Sequence, residues 1–157
     1  MNMKVKLSIL GSNSVGKAIG KIFERYRIDV IFYDRDRTVL NALAAEGYRV
    51  SSDLAEAVKH SNISFICVSP TVRTGGFDSS DVEEVYSKII GISKEEYHLI
   101  VFKSVLSPKF LELLLAEHRA NNSNYGICMN FEIFVTNSLF AVADKGIYCV
   151  YTPPFSK

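Results

Sequence analysis

This chain has no excess of either charge. Lysine and arginine number 18 against 17 aspartates and glutamates, for a net charge of +1. No basic excess is present to draw nucleic acid, and no polybasic segment to hold an anionic membrane. Long hydrophobic runs are missing too: no apolar stretch approaches the roughly 20 residues that span a bilayer. The start, MNMKVKLSIL, goes directly into a strand-like pattern with no small-residue cleavage site after an apolar region. No secretory signal is therefore expected, and the expected location is cytoplasmic. Cysteine is scarce. Cys67, Cys128 and Cys149 form an odd set with no CxxC spacing, each in an apolar stretch. They are expected to be buried, reduced thiols that pack as small hydrophobes. His60, His98 and His118 are scattered with no paired ligand spacing, so no metal site is expected. Internal repeats and low-complexity tracts are also absent.

What is present is material for a core. Of 157 residues, 48% are hydrophobic and 22% charged, which excludes a disordered chain and fits one domain over residues 1–157. Short apolar runs alternate with helical patterns. Strands are expected at Val5–Leu10, Val30–Tyr33, Tyr48–Val50, Ile63–Val68, Leu99–Phe102, Tyr125–Met129 and Ile147–Tyr151. Between them, Val15, Ala18, Ile19, Ile22, Phe23 and Tyr26 recur at helical spacing and predict a first helix buried along that stripe. A second helix carries Val39, Leu40, Leu43 and Ala44, and a short third one is capped by Ser52 or Asp53, with Leu54, Ala57 and Val58 inward. A fourth starts near Asp81 with Val82, Val85, Tyr86, Ile89 and Ile90 on one face, and a fifth starts at Ser107-Pro108. Ser69–Ser80 reads as a loop, and Phe131–Ala143 is ambiguous between helix and irregular structure. Such alternation predicts a mainly parallel sheet of about six to eight strands with helices on both faces. Ligands bind such sheets beyond the carboxyl ends of the strands, where the strand order reverses.

The first turn reads Gly11-Ser12-Asn13-Ser14-Val15-Gly16. A dinucleotide fingerprint asks for GxGxxG between a strand and a helix. Gly11 permits the tight turn and Gly16 close helix–strand packing; Asn13 stands where the second glycine would let backbone approach a pyrophosphate. Asparagine tolerates positive φ, which would let the turn survive, and the helix N-terminus still offers N–H groups to a phosphate through Asn13, Ser14 and Val15. Asp34 ends the second strand, 18 positions after Gly16 and close to the expected spacing of about 20. A carboxylate there can accept two ribose hydroxyls and repels a 2′-phosphate, which favours NAD; Arg35 beside it pulls the other way, since arginine can accept that phosphate. Together these features predict a Rossmann-like, doubly wound fold.

Several segments together resemble the N-terminal domain of the UDP-glucose/GDP-mannose dehydrogenase family. KLSILGSNSVGKAIG is similar to its strand, GxGYVG turn and small-residue helix. Ser52–Val58 is similar to its TDLEEAV segment, and Phe65–Thr71, with Val68, Ser69 and Pro70, to its strand ending in V-P-T-P. Phe77–Glu83 is similar to D-x-S-x-V-E, Val101–Pro108 to V-V-K-S-T-V-P-P, and Met129–Glu132 to S-N-P-E. The departures are Asn13 for the second glycine, Val105 for the threonine of K-S-T and Phe131 for the proline of N-P-E. Nothing matches the G-G-S-C-F-P-K-D motif that carries the family's nucleophilic cysteine in its second half.

The resemblance implies NAD as cofactor, bound by Gly11, Asn13, Ser14, Val15, Gly16, Asp34, Arg35, Val68, Ser69, Pro70 and Ser104. It implies Glu132 as the carboxylate that assists hydrolysis of a thioester; Lys103, at the mouth of the cleft by the parallel-sheet argument, is a candidate point charge for a phosphate or carboxylate. Cys128 is expected to pack in the core and not to replace the nucleophile. Two functions follow. One is the cofactor half of a nucleotide-sugar dehydrogenase, incomplete for catalysis alone and completed by a second chain or a larger protein, with the chain itself either a monomer or a homo-dimer. The other is a stand-alone Rossmann-like binding or regulatory module whose catalytic role has lapsed.

Overall fold

The computed structural model describes residues 4–69, 71–73, 76–92, 96–120 and 124–130. The opening apolar run forms β1 (Lys6–Leu10), and the turn after it leads into α1 (Ser14–Arg25). Then follow β2 (Asp29–Tyr33), α2 (Arg37–Ala45), β3 (Arg49–Ser51), α3 (Leu54–His60) and β4 (Ile63–Ile66). Two short strands, β5 (Thr71–Arg73) and β6 (Gly76–Asp78), precede α4 (Ser80–Ile90), β7 (His98–Phe102), α5 (Pro108–Ala120) and β8 (Tyr125–Met129). Local chemistry sets several boundaries. The side chains of Asp36 and Asp53 accept from the N–H groups of Thr38 and Ala55 and so cap α2 and α3.

Six strands form one sheet in the order β3-β2-β1-β4-β7-β8, and every neighbouring pair is parallel. This is the Rossmann-like α/β arrangement expected from the sequence. One expectation fails in the segment before α4. Residues 71–78, read as part of a loop, contain an antiparallel hairpin in which Thr71 pairs with Asp78 and Arg73 with Gly76. Strands of three residues are too short to show a period of two. The expected strand Ile147–Tyr151 and the ambiguous segment Phe131–Ala143 lie outside the described residues.

Side chains alternate across the sheet and build a layer on each face. Leu7, Ile9, Val30 and Phe32 meet Leu43, with Ile19 and Phe23 of α1 packed against them. On the other face Leu10, Ile31, Ile66, Ile100 and Phe102 meet Ala57 of α3, Val82 and Ile89 of α4, and Leu114 of α5. The second face also holds a polar chain inside the core. The hydroxyl of Ser61 donates to Ser8 Oγ at 2.9 Å, Ser8 and Ser64 share a 2.6 Å hydrogen bond, and Ser64 Oγ lies 2.8 Å from His98 Nε2. All four residues are buried.

The buried stripe of α1 differs from the expected one. Ile22 and Tyr26 are 51% and 77% exposed and Ala18 is exposed, whereas Gly16 and Gly20 are buried. The helix approaches the sheet so closely that a Cβ on Gly20 would stand 2.3 Å from the Phe32 ring. The spacing Gly16-x-x-x-Gly20 was visible in the sequence, but apolar periodicity gives glycine no weight. Cys67 is a buried free thiol. Cys128 is buried but disulfide-bonded, which corrects the expectation of a reduced thiol; sequence spacing carried no sign of it. Among the described residues no helix is long and apolar enough to cross a membrane.

Candidate functional site

The strand order runs outward from β1 through β2 to β3 and, in the other direction, from β4 through β7 to β8. Order therefore reverses between β1 and β4, and a crevice opens beyond their carboxyl ends. Gly11 leaves β1 there with φ +97°, a conformation that side chains rarely adopt. A Cβ on it would also meet Val68 N at 2.8 Å, so the turn passes directly over the exit of β4. Its N–H donates to Tyr33 O at 3.0 Å and ties the turn to the end of β2.

Asn13 has φ −68° and ψ −175°. Its tolerance of positive φ is therefore not used; that demand falls on Gly11. Asn13 instead caps α1. Its Oδ1 accepts from Gly16 N–H at 2.9 Å, while its Nδ2 donates to Cys67 O and, at 2.9 Å, to Ser69 Oγ. One side chain thus occupies an N–H of the first helical turn and latches that turn to the segment leaving β4.

Asp34 stands at the end of β2, with its carboxylate oriented by backbone. Its Oδ2 accepts from Ser12 N–H at 2.7 Å and its Oδ1 from Asp36 N–H at 2.9 Å. Each oxygen keeps a lone pair for another donor. Arg35 reaches across to α4, where Nη2 lies 2.8 Å from Glu84 Oε2 and Nη1 3.7 Å from Asp81 Oδ1. Hydrogen bonds with Glu84 and then with Tyr33 raise the Arg35 pKa further. Hydrogen bonds from Lys88 and then from Arg35 lower the Glu84 carboxyl to about 2.

The cleft holds about 240 Å³ and is lined by Gly11, Asn13, Tyr33, Asp34, Arg35, Cys67, Val68, Ser69, Asp81 and Val85. Six of the residues picked out from the sequence are thereby brought together: Gly11, Asn13, Asp34, Arg35, Val68 and Ser69. Ser14, Val15 and Gly16 form the first turn of α1 beside it. Ser104 is buried behind the segment leaving β4 and donates to Val68 O. Lys103 stands one strand further along, after β7, with Nζ 2.5 Å from Asn130 Oδ1 at the end of β8. Pro70 and Glu132 lie outside the described residues. Sequence reasoning missed Asp81 and Val85 as lining residues. The signal was available in part: α4 starts on the side of the sheet where the strands end, so its first turns face the crevice. Among the described residues no group of three or more His, Cys, Asp or Glu is placed to hold a metal ion.

The model of the NAD binding domain of the UDP-glucose/GDP-mannose dehydrogenase family matches residues 36–153, well over half of the chain. The chain belongs to this family. The match to the NAD-binding domain begins after Asp34, so it excludes the Gly11–Gly16 turn, where Asn13 breaks the glycine pattern. No curated protein matches the chain. Among solved structures, GDP-mannose dehydrogenase from Pseudomonas aeruginosa superposes with a TM-score of 0.68 at 21% identity, over 83% of this chain. A UDP-glucose dehydrogenase from the hyperthermophilic archaeon Pyrobaculum islandicum gives 0.65 at 22% identity, over 86% of this chain. An imine reductase variant from Myxococcus stipitatus in complex with NAD+ gives 0.59 at 20% identity, over 82% of this chain. The likeness to these structures is one of fold. The chain spans 37% of the first of them and 38% of the second. As a member of this dehydrogenase family, it is an NAD-binding domain. The family's K-S-T threonine is replaced by Val105, which is 49% exposed.

Proposed function

We propose that residues 1–157 form the cofactor-binding unit of an NAD-dependent nucleotide-sugar dehydrogenase, with adenosine over the Gly11 turn and its ribose hydroxyls on Asp34. The observation that carries this reading is the Asp34 carboxylate, pre-oriented by two backbone N–H groups at the rim of the switch-point cleft. The cleft of about 240 Å³ is smaller than the roughly 300–1,000 Å³ of whole-ligand pockets. It accounts for the adenosine end of a dinucleotide and not for the whole molecule. In this reading the first turn of α1, from Asn13 through Ser14 and Val15 to Gly16, faces the pyrophosphate. Arg35 flanks the ribose, Val68 and Ser69 form the far wall, and Ser104 supports that wall from behind through Val68 O.

When bound, NAD accepts a hydride from the alcohol carbon of the sugar. Lys103, held by Asn130, supplies a fixed positive charge near the strand ends, and Glu132 is the carboxylate that assists hydrolysis. The sugar site and the nucleophile come from a second chain or from further sequence of the same protein; a second copy of this chain is a further proposed partner. A soluble dinucleotide ligand fits a cytoplasmic setting.

A second reading, a binding or regulatory module with lapsed catalysis, is favoured by the Asn13 latch. Calorimetric titration of the 157-residue chain with NAD and NADH separates the two. The dehydrogenase reading expects binding with Kd below about 1 mM, or roughly 4 kcal/mol of affinity. Asn13→Gly frees the Gly16 N–H and is expected to tighten binding about three- to tenfold, the worth of one hydrogen bond. Capping loss is small, since glycine costs a helix N-cap only a few tenths of a kcal/mol. If neither protein binds at millimolar ligand, the module reading stands.

A further inference from the structure

Arg35 occupies the position from which an arginine can take a 2′-phosphate. The structure gives it different partners. Its guanidinium bridges from the end of β2 to α4, at 2.8 Å from Glu84 and 3.7 Å from Asp81. Asp81 and Arg35 both line the cleft beside Asp34, so the bridge closes the side of the cleft next to the ribose position proposed above. Two carboxylates, those of Asp81 and Glu84, therefore flank the guanidinium, and Asp34 lines the same cleft; Lys88 lies 2.6 Å from Glu84.

We propose that Asp81 and Glu84 are specificity-determining residues for the cofactor, which divert Arg35 from a 2′-phosphate and present carboxylate charge where that phosphate would enter. The proposal rests on the placement of the ribose at Asp34. A 2′-phosphate brings close to two negative charges. To be accepted it needs the guanidinium, and the guanidinium is already engaged by two acids of α4. Hydrogen bonds from Lys88 and Arg35 hold the Glu84 carboxyl below the usual carboxylate range and so favour the charged pair. Arg35, Asp81 and Glu84 are all 40–51% exposed, so the guanidinium can swing to a new partner without any change in the fold. The same exposure screens the charges and limits the effect to a modest fold-change.

The test compares NAD and NADP binding by calorimetry on the 157-residue wild type, on Asp81→Asn/Glu84→Gln, and on that pair combined with Arg35→Ala. The double variant is expected to raise the affinity for NADP relative to NAD by about five- to tenfold, the scale of two partly screened charge contacts. Adding Arg35→Ala is expected to abolish the gain, because the released guanidinium is its source. Asp81→Asn alone, the milder change, is expected to shift the ratio about threefold in the same direction. An unchanged ratio in variants that still bind NAD overturns this proposal and leaves the adenosine placement standing. Absence of binding of either dinucleotide to every variant overturns the placement, and the proposal with it.

Discussion

Gly20→Leu is expected to lower the free energy of unfolding by about 3 kcal/mol or more, at the upper end of overpacking costs. A Cβ at this position already meets the Phe32 ring at 2.3 Å and Ile9 Cγ1 at 3.0 Å. Phe32 and Ile9 are both fully buried in the same layer, so neither can give way. The sign of a smaller change sharpens the test. On a free helix surface, Gly20→Ala would stabilise by about 0.5–1 kcal/mol. Against the sheet it is expected to cost about 1–2 kcal/mol, with part of that loss recovered when Phe32→Leu is added. Urea unfolding followed by far-UV circular dichroism reads all three proteins. A higher midpoint for Gly20→Ala would mean that α1 and β2 do not approach as described.

Asp34→Ala is expected to weaken NAD binding by about ten- to a hundredfold, since hydrogen bonds to a charged group contribute roughly 1.5–3 kcal/mol. The carboxylate is lost together with its hold on Ser12 N–H, so the Gly11 turn is loosened as well. Asp34→Asn separates the two effects. It keeps an acceptor for Ser12 and removes the charge, so NAD binding is expected to fall less than in the alanine variant. Calorimetry on folded protein decides it. NAD affinity within twofold of wild type in Asp34→Ala would remove the ribose from this residue.

Much of the scaffold was legible because local signals and tertiary demands agree. Tyr125–Met129 was expected as a strand and is β8 over the same residues. Leu54, Ala57 and Val58 were expected inward on α3, and all three are buried. The strand-to-helix alternation was enough to place the ends of β1, β2 and β4 at one crevice. Disagreement arose where geometry and not hydrophobicity selects the face. On α1 the sheet accepts the residues with the least bulk, so Ile22 and Tyr26 are turned outward. Asn13 was legible as a departure from the glycine pattern, but its role as a latch depends on Cys67 and Ser69, more than 50 positions away. The engagement of Arg35 by Asp81 and Glu84 was equally hidden, because it joins residues more than 40 positions apart.

The serine chain in the core also bears on how the sheet is assembled. Ser8 faces Ser64 in the pairing of β1 with β4, and an apolar parallel strand has little else to tell one alignment from the next. Sliding β4 by one residue would turn Ser64 to the opposite layer and bring Phe65 into the place of a hydroxyl. Sliding it by two would restore the face but part the hydroxyls by about 6.6 Å, two strand rises. Either error leaves polar groups stranded in a dry interior, at roughly 1–3 kcal/mol for each. The hydroxyl pair thus works as an alignment key for the two central strands, and the crevice depends on it: only the native alignment ends β1 and β4 level with each other, so that Gly11 can cross over Val68.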